Sequence, residues 1–527
     1  MFEFPLWEGM IALPLYAYLN ARIGNSFVED WSGMRPSEIY DVIVIGGGSA
    51  AFEAAISAKT AGAERVVMLE KAPEAEFGGN ARFSHTGFRF VHAGAEEVRE
   101  FVPDLDEETY QRMHVPPYTR ENFLADLNRV TQNRIDPVLA DAFVGQSNAA
   151  VHWMKDIGIK WEMDKTIKVG DKLYFEPGIN IHPIGGGLGL LLALREIALK
   201  HGIEIRYDSK VRAVHGNERQ VEGVRVSGPS EEYDLGGRAI ICCSGGFQAN
   251  AEMRARYLGP NSDLLRVRGS KHNTGEVLQA MLAIGAKAAG HWQGAHMTPI
   301  DSAAPAVETP LLEGGKGNSM NRYDYTYGIT VNTLGQRFYD EGEAKHSYTY
   351  AKTGRAVLAQ PGAAAFQIYD QTGVELFRRG PNYTATVFEA PTIAELAQKI
   401  GIEPAVLVHT VEEFNAACRS DVAFDPRVLD GKCTIGISPP KSNWAEPIRR
   451  APFRAYSITA GVTFTFGGLQ VDTKAQVINT GHRPIHGLFA SGDVVGLFFH
   501  NYPSCTGQTR NVVFSYLAGR NAAALQN

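Results

Sequence analysis

The stretch YDVIVIGGGSAAFEAAISAKTAGAERVVMLEKA limits the possible folds of this chain more than any other segment. It begins with an apolar run of β-branched residues, Val42 to Ile45, which is typical of a strand buried in a parallel sheet. Three glycines then turn the chain, an alanine-rich segment from Ala50 to Lys59 predicts a helix, and RVVMLE predicts a second buried strand. The segment therefore predicts a βαβ unit within an α/β fold.

The turn of this unit carries a dinucleotide-binding pattern. Gly46-x-Gly48-x-x-Ala51 follows the first strand and opens the helix, which is where such a pattern must lie. The first glycine makes the turn, the second lets the backbone approach a pyrophosphate, and the helix N-terminus supplies N–H donors. Glu70 ends the second strand, where a carboxylate binds ribose hydroxyls. Together these features predict a dinucleotide site.

The rest of the chain divides into two kinds of segment. Glycine-rich turns and short apolar strands recur after PIGGGLG and again in GGLQVDT and GLFASGD near the C-terminus. From about Trp292 to Pro452 this pattern gives way to mixed and aromatic residues. We therefore predict an N-terminal leader at 1–36, a nucleotide-binding domain at 37–291 that resumes at 456–527, and an inserted domain at 292–455.

Composition narrows the class of protein. The 527 residues are 44% hydrophobic and 21% charged, with a net charge of −7 and no basic block, so we expect a globular chain that does not bind nucleic acid. The five cysteines have neither disulfide nor metal-ligand spacing, which favours the cytoplasm and predicts no metal site. The leader is expected to pack on the fold or on a second copy of the chain in a homo-oligomer, and contact with a membrane surface is the alternative.

A series of short motifs resembles the flavoprotein superfamily of fumarate reductases and succinate dehydrogenases. In order, the motifs are EFGGNARF, SGGF, NTGE, RFYDEGE, FTFGGL and GLFASGD, and they span nearly everything from Tyr40 to the C-terminus. Within the superfamily the chain is similar to tricarballylate dehydrogenase-like proteins, on GHWQGAHMTPID, SYTYAKTGRAVLAQPG and HNYP. The resemblance implies a Rossmann-like FAD-binding domain with an inserted α+β capping domain, and a substrate held between the two.

The dinucleotide pattern and the resemblance together predict FAD as the cofactor. Succinate dehydrogenases attach FAD covalently to a histidine of an Arg-Ser-His-Thr run, but on alignment that histidine falls near Asn80 and not at His85. We therefore expect non-covalent binding, with His85 near the flavin. The predicted cofactor-binding residues are Gly46, Gly48, Ser49, Ala50, Glu70, Lys71, Gly78, Gly79, Asn80, Ser84, His85, Val211, Ser244, Gly245, Asn273, Thr274, Gly275, Gly492, Asp493, Gly507 and Thr509.

The carboxylate-binding residues of fumarate reductases carry over only in part. Their capping-domain histidine falls on His296, which keeps the residue type. The histidine of their His-Thr-Met-Gly-Gly run falls on Phe464, and the arginine of their final Asn-Arg-Leu-Gly-Gly loop falls on Ser504. Because each such charge-assisted contact is worth about 1.5–3 kcal/mol, tight binding of fumarate or succinate is not expected. A substrate carboxylate can still bind elsewhere, for example at Arg355.

The loop FFHNYPSC near the C-terminus is expected to replace these contacts. Its Tyr502-Pro503 resembles the tyrosine–proline of ketosteroid dehydrogenases, in which the tyrosine hydroxyl binds a ketone oxygen. Tyr502 is therefore predicted to donate to a carbonyl or carboxyl oxygen of the substrate. His500 is expected either to react or to hold the loop in place. Cys505 has no basic neighbour in the sequence and no CxxC partner, so a structural thiol is expected.

Proton transfer is expected to come from the capping domain. The arginine acid of fumarate reductases falls at or beside Lys345-His346. Tyr348 is predicted to transfer the proton together with one of these two residues, and Tyr350 can assist.

These residues predict an FAD-dependent dehydrogenase or reductase. A hydride passes to or from flavin N5 while the protein transfers a proton, on a C–C bond next to an oxo or carboxyl group of a small molecule. A tricarballylate-like polycarboxylate and a neutral cyclic ketone are both possible substrates. The absence of the arginine at Ser504 and of the histidine at Phe464 favours a substrate that is larger and less charged than fumarate. The electron partner is open among a quinone, an iron–sulfur protein and oxygen. The alternatives are a hydratase or isomerase that uses flavin without redox chemistry, and an electron-carrier subunit.

Overall fold

The computed structural model of the chain describes residue 36 and residues 38–164, 166–307, 320–377 and 386–526. The predicted leader at 1–36 therefore lies outside the described residues, except for Pro36. Within these ranges, none of the helices has both the length and the apolar composition that crossing a bilayer requires.

The strands of the described ranges form two large sheets and three small ones. In chain order they are β1 (Glu38–Ile45), β2 (Val66–Leu69), β3 (Met113–His114), β4 (Trp161–Met163), β5 (Ile167–Val169), β6 (Lys172–Tyr174), β7 (Ile181–Pro183), β8 (Glu204–Arg206), β9 (Lys210–Gly216), β10 (Val221–Ser227), β11 (Glu232–Cys242), β12 (Arg266–Val267), β13 (Ala288–Ala289), β14 (Ala295–Asp301), β15 (Ile329–Asn332), β16 (Ala364–Tyr369), β17 (Val387–Ala390), β18 (Phe453–Thr465), β19 (Gly468–Leu469), β20 (Gln476–Ile478) and β21 (Pro484–Ala490).

The α-helices of the described ranges lie between these strands. They are α1 (Ser49–Thr60), α2 (Ala95–Phe101), α3 (Glu107–Arg112), α4 (Arg120–Thr131), α5 (Pro137–Asp156), α6 (Gly186–Lys200), α7 (Ala251–Leu258), α8 (Glu276–Ala283), α9 (His346–Leu358), α10 (Gln371–Glu375), α11 (Ile393–Ile400), α12 (Pro404–Ala417) and α13 (Thr506–Ala523).

The larger sheet is built around β1, the strand that precedes the glycine turn. Its strand order is β20-β21-β11-β1-β2-β8, with β10 and β9 attached to β11. β1 pairs in parallel with β2 and with β11, so that Val42 lies opposite Val66 on one side and Ala239 on the other. The last four residues of β1 and all of β2 are buried, as their apolar side chains require. The predicted βαβ unit and the mixed α/β fold class are confirmed.

The C-terminal helix packs against the helix of the βαβ unit. Ser515 Oγ of α13 donates to the Ala50 carbonyl at 2.8 Å, and Ser57 Oγ of α1 donates to the Tyr516 carbonyl at 2.8 Å. At the start of α13, the side chains of Ser49 and Gln508 are hydrogen-bonded at 3.1 Å. The packing therefore brings the loop that precedes α13 close to the glycine turn, although hundreds of residues separate them in sequence.

The second large sheet is organised by β18. Its order is β12-β18-β16-β15, and β14 and β17 also pair with β18. Helix α9 packs against β14 and β18. The predicted domain boundary at residue 455 falls inside β18, because this strand continues from the inserted segment into the C-terminal one. The division of the chain into domains stays a prediction.

A buried carboxyl group in α1 makes the stability of this fold depend on pH. Glu53 is fully buried, and burial raises its pKa to about 8 from an ordinary 4.5, while Ser515 acts in the opposite direction. Between these two values the folded protein keeps a proton that the unfolded chain has lost. The free energy of unfolding therefore falls as pH rises through this window, by up to about 1.4 kcal/mol per pH unit.

We expect Glu53→Gln to remove this dependence, because the amide does not titrate. The measured quantity is the melting temperature of the variant minus that of the wild type, at pH 5 and at pH 8. This difference should be larger at pH 8 than at pH 5. Glu252→Gln changes an exposed residue of α7 and serves as the control. A difference in melting temperature that is the same at both pH values would show that the Glu53 pKa is not raised.

Candidate active site

A long cavity of about 360 Å³ runs from the glycine turn after β1 to the second sheet. Its walls come from the β1–α1 turn, the segment 79–87, strands β14 and β18, helix α9 and the loop before α13. A ligand that fills this cavity contacts both large sheets. Its size and its mixed polar and aromatic lining are typical of a binding site for a small molecule or cofactor.

The glycine turn forms an open cradle at one end of the cavity. Gly46 has a φ of 126°, and a Cβ there would lie 2.5 Å from the Cys243 carbonyl oxygen, so glycine is required. At Gly48 the nearest atom to an added Cβ is the Gly78 carbonyl oxygen at 3.6 Å, which leaves the turn open towards the cavity. Helix α1 begins directly after it, at Ser49. The backbone therefore offers a helix N-terminus and close approach to a pyrophosphate, as a dinucleotide requires.

A carboxyl group lies beside this cradle. Glu70 follows β2, is 7% exposed, and accepts a hydrogen bond from the Ala72 N–H at 2.7 Å. Burial raises the pKa of Glu70, and the Ala72 N–H acts in the opposite direction. Nearby, the ammonium groups of Lys71 and Lys210 both contact Glu276, at 3.2 and 2.7 Å. The Glu70 side chain thus has the place that the ribose contact of a dinucleotide needs.

The structure brings most of the predicted cofactor-binding residues to the cavity wall. Those that line it are Gly46, Gly48, Ser49, Ala50, Glu70, Lys71, Gly79, Asn80, Ser84, His85, Val211, Ser244, Gly245, Asn273, Gly275, Gly492, Asp493 and Gly507. Gly78, Thr274 and Thr509 do not line it. Thr274 Oγ1 accepts from Lys71 Nζ at 2.5 Å and so supports a residue of the wall. Thr509 Oγ1 donates at 2.7 Å to the carbonyl of Arg89, which does not line the cavity.

At the opposite end, aromatic side chains surround a buried histidine. The hydroxyl oxygens of Tyr502 and Tyr350 lie 2.7 Å apart in a hydrogen bond, and the Tyr502 hydroxyl lies 3.5 Å from His296 Nδ1. The rings of Phe464 and Tyr502 pack edge to face against the imidazole. His296 Nε2 is buried and has no hydrogen-bond partner among the described residues. A ligand in the cavity can therefore meet a histidine nitrogen and two phenol groups.

Burial keeps these three side chains uncharged at neutral pH. It raises the pKa of Tyr502 well above 10.0, and the neighbouring Tyr350 hydroxyl acts in the same direction. It also raises the pKa of Tyr350. For His296, burial and then the charge of Arg268 lower the pKa well below 6.5. Both phenols thus keep their O–H protons, and the imidazole stays neutral.

Backbone contacts hold the C-terminal loop against helix α9. The Ser504 N–H donates to the Ser347 carbonyl at 3.0 Å, and the Asn501 side-chain amide donates to the Tyr348 carbonyl. These contacts explain why Tyr502 and Tyr350, which are far apart in sequence, share a hydrogen bond.

The capping residues predicted for proton transfer do not all reach the cavity. His346 lines it, with its ring centroid 6.4 Å from that of Tyr350. Tyr348 does not, because its hydroxyl donates to Asp126 at 2.9 Å and accepts from Arg89 at 3.3 Å. Lys345 precedes α9 and is also outside the wall.

Among the remaining predicted residues, Phe464 and Ser504 line the cavity and two others do not. Arg355 donates to the carbonyls of Leu258 and Gln293. His500 lies on the far side of its loop, where its N–H donates to His291 Nδ1 at 3.1 Å.

Several residues of the wall were not predicted from the sequence. Those near the substrate end include Asp164, Glu176, Arg268, Asn321, Tyr323 and Asp324. His85 Nε2 lies 3.0 Å from Asp164 Oδ1. The one available signal for Arg268 is its position five residues before NTGE, a segment that the resemblance places at the flavin. In the described residues, no group of three or more His, Cys, Asp and Glu side chains is arranged to hold a metal ion.

Known proteins resemble this chain over most of its length. The model of a family described as FAD binding domain matches residues 41–508. A probable fumarate reductase of Shewanella frigidimarina, Ifc3, is 29% identical over 511 residues, which cover 93% of this chain and 75% of that protein. A 3-oxosteroid 1-dehydrogenase of Mycolicibacterium smegmatis is 26% identical over 387 residues, 68% of this chain and 66% of that protein.

A solved structure has the same fold. The 3-ketosteroid-Δ4-(5α)-dehydrogenase of Rhodococcus jostii RHA1 superposes with a TM-score of 0.70 at 22% identity, over 93% of this chain and 98% of that one. At this identity the likeness concerns the fold alone.

The thiol of Cys505 lines the cavity and is expected to be unreactive. Burial and the charge of Asp164 raise its pKa to about 12, although Ser504 acts in the opposite direction. We therefore expect iodoacetamide to alkylate Cys505 slowly from pH 7 to pH 9. The extent of alkylation is measured by mass spectrometry of the digested protein. The half-buried Cys433 is the internal reference. Alkylation of Cys505 at pH 7 that is faster than that of Cys433 would contradict a protonated thiol.

Proposed function

The chain belongs to the FAD binding domain family, and we propose that it uses this cofactor on a small molecule, at a C–C bond next to a carbonyl or carboxyl group. It is an FAD-dependent oxidoreductase acting on CH–CH groups, as fumarate reductases and 3-oxosteroid dehydrogenases are. One observation supports the proposed chemistry most directly. The cavity that begins at the dinucleotide cradle ends at the hydrogen-bonded group of Tyr502, Tyr350 and His296.

The cradle fits FAD, and we assign its contacts to the residues that line it. The Gly46–Gly48 turn and the N-terminus of α1 would hold the pyrophosphate, and Glu70 the adenosine ribose. Asp493 forms an ion pair with Arg510, which fixes its carboxylate at the wall. Non-covalent binding is supported at His85, whose Nε2 is engaged with Asp164. When bound, FAD accepts or supplies the hydride.

Tyr502 is the proposed donor to the substrate oxygen. Its hydroxyl is protonated because burial raises its pKa, and Tyr350 lies 2.7 Å away to orient it. A donor fixed in a cavity shielded from water stabilises charge that develops on a carbonyl oxygen without having to reorganise. His296 is neutral and adds a second polar contact through Nε2.

Proton transfer is assigned to His346, with Tyr350 between it and Tyr502. His346 is the one residue among Lys345, His346 and Tyr348 that lines the cavity. Tyr323 also lies close to both His346 and Tyr350. Its ring centroid is 6.0 Å from that of His346 and 4.9 Å from that of Tyr350. A chain of titratable side chains therefore leads away from the reacting end.

The lining favours a substrate that is larger and less charged than fumarate. Phe464 and Ser504 supply no positive charge where the resemblance places a histidine and an arginine. Six aromatic or imidazole rings of the described residues line this end instead, which suits a flat carbon framework: His296, Tyr323, His346, Tyr350, Phe464 and Tyr502. The ring of Phe464 packs against both His296 and Tyr502.

Location, assembly and electron partner are proposed from the cysteines and from the resemblance. All five cysteines are free thiols, which supports a cytoplasmic protein. A capping domain near 292–455, a homo-oligomer and an external electron partner are proposed from the resemblance. A hydratase or isomerase and an electron-carrier subunit are the competing functions, and the two experiments that follow separate them from the oxidoreductase.

We expect Tyr502→Phe to slow reduction or oxidation of the bound flavin by about a hundredfold, since one oxyanion donor is lost. The measurement is stopped-flow absorbance of the FAD-loaded protein under anaerobic conditions. The matched control is Tyr516→Phe, which removes a hydroxyl that contacts Arg520 at the surface of α13. An unchanged rate in the Tyr502 variant would exclude its role as a donor.

We expect a small oxo or carboxyl compound to change the flavin spectrum of the FAD-loaded protein without any other reductant or oxidant. The test is anaerobic titration of the oxidised and of the dithionite-reduced protein with di- and tricarboxylates, unsaturated monocarboxylates and cyclic ketones. Bleaching with formation of an unsaturated product excludes the hydratase or isomerase, and multiple turnover with an artificial dye excludes a mere electron carrier. A flavin that responds to none of these compounds would remove the main support for the proposed chemistry.

A further inference from the structure

Arg268 is a buried cation at the substrate end of the cavity. It follows the two-residue strand β12, which pairs in parallel with β18, and the Arg268 N–H donates to the Val462 carbonyl at 2.8 Å. Its guanidinium donates to Thr463 Oγ1, beside Phe464. Arg268 is 6% exposed and lines the cavity. It is also close enough to His296 to lower the pKa of that side chain.

Three lysine and arginine side chains line the cavity among the described residues: Lys71, Lys210 and Arg268. Arg268 is the only arginine among them. The two lysines, Lys71 and Lys210, lie at the cradle end and both contact Glu276. At the substrate end, Asp164 contacts His85, and Glu176 accepts from Ser347 at 3.0 Å. The cavity wall near His296 therefore includes a guanidinium that Thr463 helps to hold in place.

From this placement we infer that Arg268 binds a carboxylate of the substrate, while Tyr502 and His296 contact its reacting end. The substrate class is then a flat unsaturated compound with one carboxylate. A guanidinium offers two parallel N–H donors to a carboxylate, and in a cavity shielded from water this contact is stronger than at a surface. The positive charge missing at Ser504 is thus supplied from another part of the chain, by the residue that follows β12. This inference rests on the proposed function for the location of the substrate.

The experiment compares a charged ligand with its neutral isostere. Cinnamate and cinnamamide share a flat framework and differ in the carboxylate, so binding of both to the FAD-loaded protein is measured by isothermal titration calorimetry. The wild type is expected to bind cinnamate at least tenfold more tightly than cinnamamide. Arg268→Gln should weaken cinnamate binding by about ten- to a hundredfold and leave cinnamamide nearly unchanged, and Arg268→Lys should fall between.

Arg266→Gln is the matched control, because Arg266 lies two residues away on β12 and donates to the Ala304 carbonyl. It should bind both ligands like the wild type. FAD content and melting temperature verify that each variant is folded. Equal loss of both ligands in Arg268→Gln, no loss of either, or a wild type without preference for cinnamate would overturn the inference.

The same ligands separate this inference from the proposed function. If cinnamate binds in an Arg268-dependent manner but no compound of the panel changes the flavin spectrum, the proposed chemistry fails and the carboxylate site stands. If the flavin responds to neutral ketones and Arg268→Gln leaves both that response and cinnamate binding unchanged, the chemistry stands and the carboxylate site fails.

Discussion

A fully buried guanidinium joins the segments that form the active site. Arg89 donates to the Ser504 carbonyl at 2.9 Å, to Asp126 at 3.3 Å and to the Tyr348 hydroxyl at 3.3 Å. Its backbone N–H and carbonyl both bond to the Thr509 side chain. Because a charge without water is costly unless its neighbours compensate it, helix α4, helix α9 and the loop before α13 must all come together around this residue. The relative position of Tyr502 and Tyr350 depends on that assembly.

The same cluster decides which tyrosine of α9 can take part in chemistry. Tyr348 and Tyr350 are two residues apart on a helix, so their side chains point in very different directions. Tyr348 is bound to Asp126 and Arg89, while Tyr350 faces the cavity and Tyr502. A sequence motif does not distinguish the two, because which face of α9 meets the cavity depends on how the helix packs against β14 and β18.

Local patterns predicted the cradle, and long-range pairing accounts for what they missed. The β1–α1 turn and Glu70 lie within one βαβ unit, so glycine spacing and strand apolarity were enough to find them. Arg268 reaches the substrate end only because β12 pairs with β18, nearly 200 residues further along the chain. A two-residue strand has no sequence period, and a single arginine directly after it resembles any surface residue. The dinucleotide end of the site could therefore be predicted from the sequence, while half of the residues at the substrate end could not.

The loss of positive charge at Phe464 and Ser504 changes what the substrate end can bind. Arg510 lies behind Phe464, with its guanidinium carbon 5.4 Å from the ring centroid, but its charge is compensated by Asp493. The two phenols that surround His296 are neutral, and the imidazole itself is uncharged. Neutral donors in a cavity shielded from water favour an oxygen that gains charge during the reaction over one that is fully charged at the start. Two different groups thus handle the two kinds of charge at this end of the cavity. Arg268 binds the permanent charge of the carboxylate, and Tyr502 and His296 stabilise the charge that develops during the reaction.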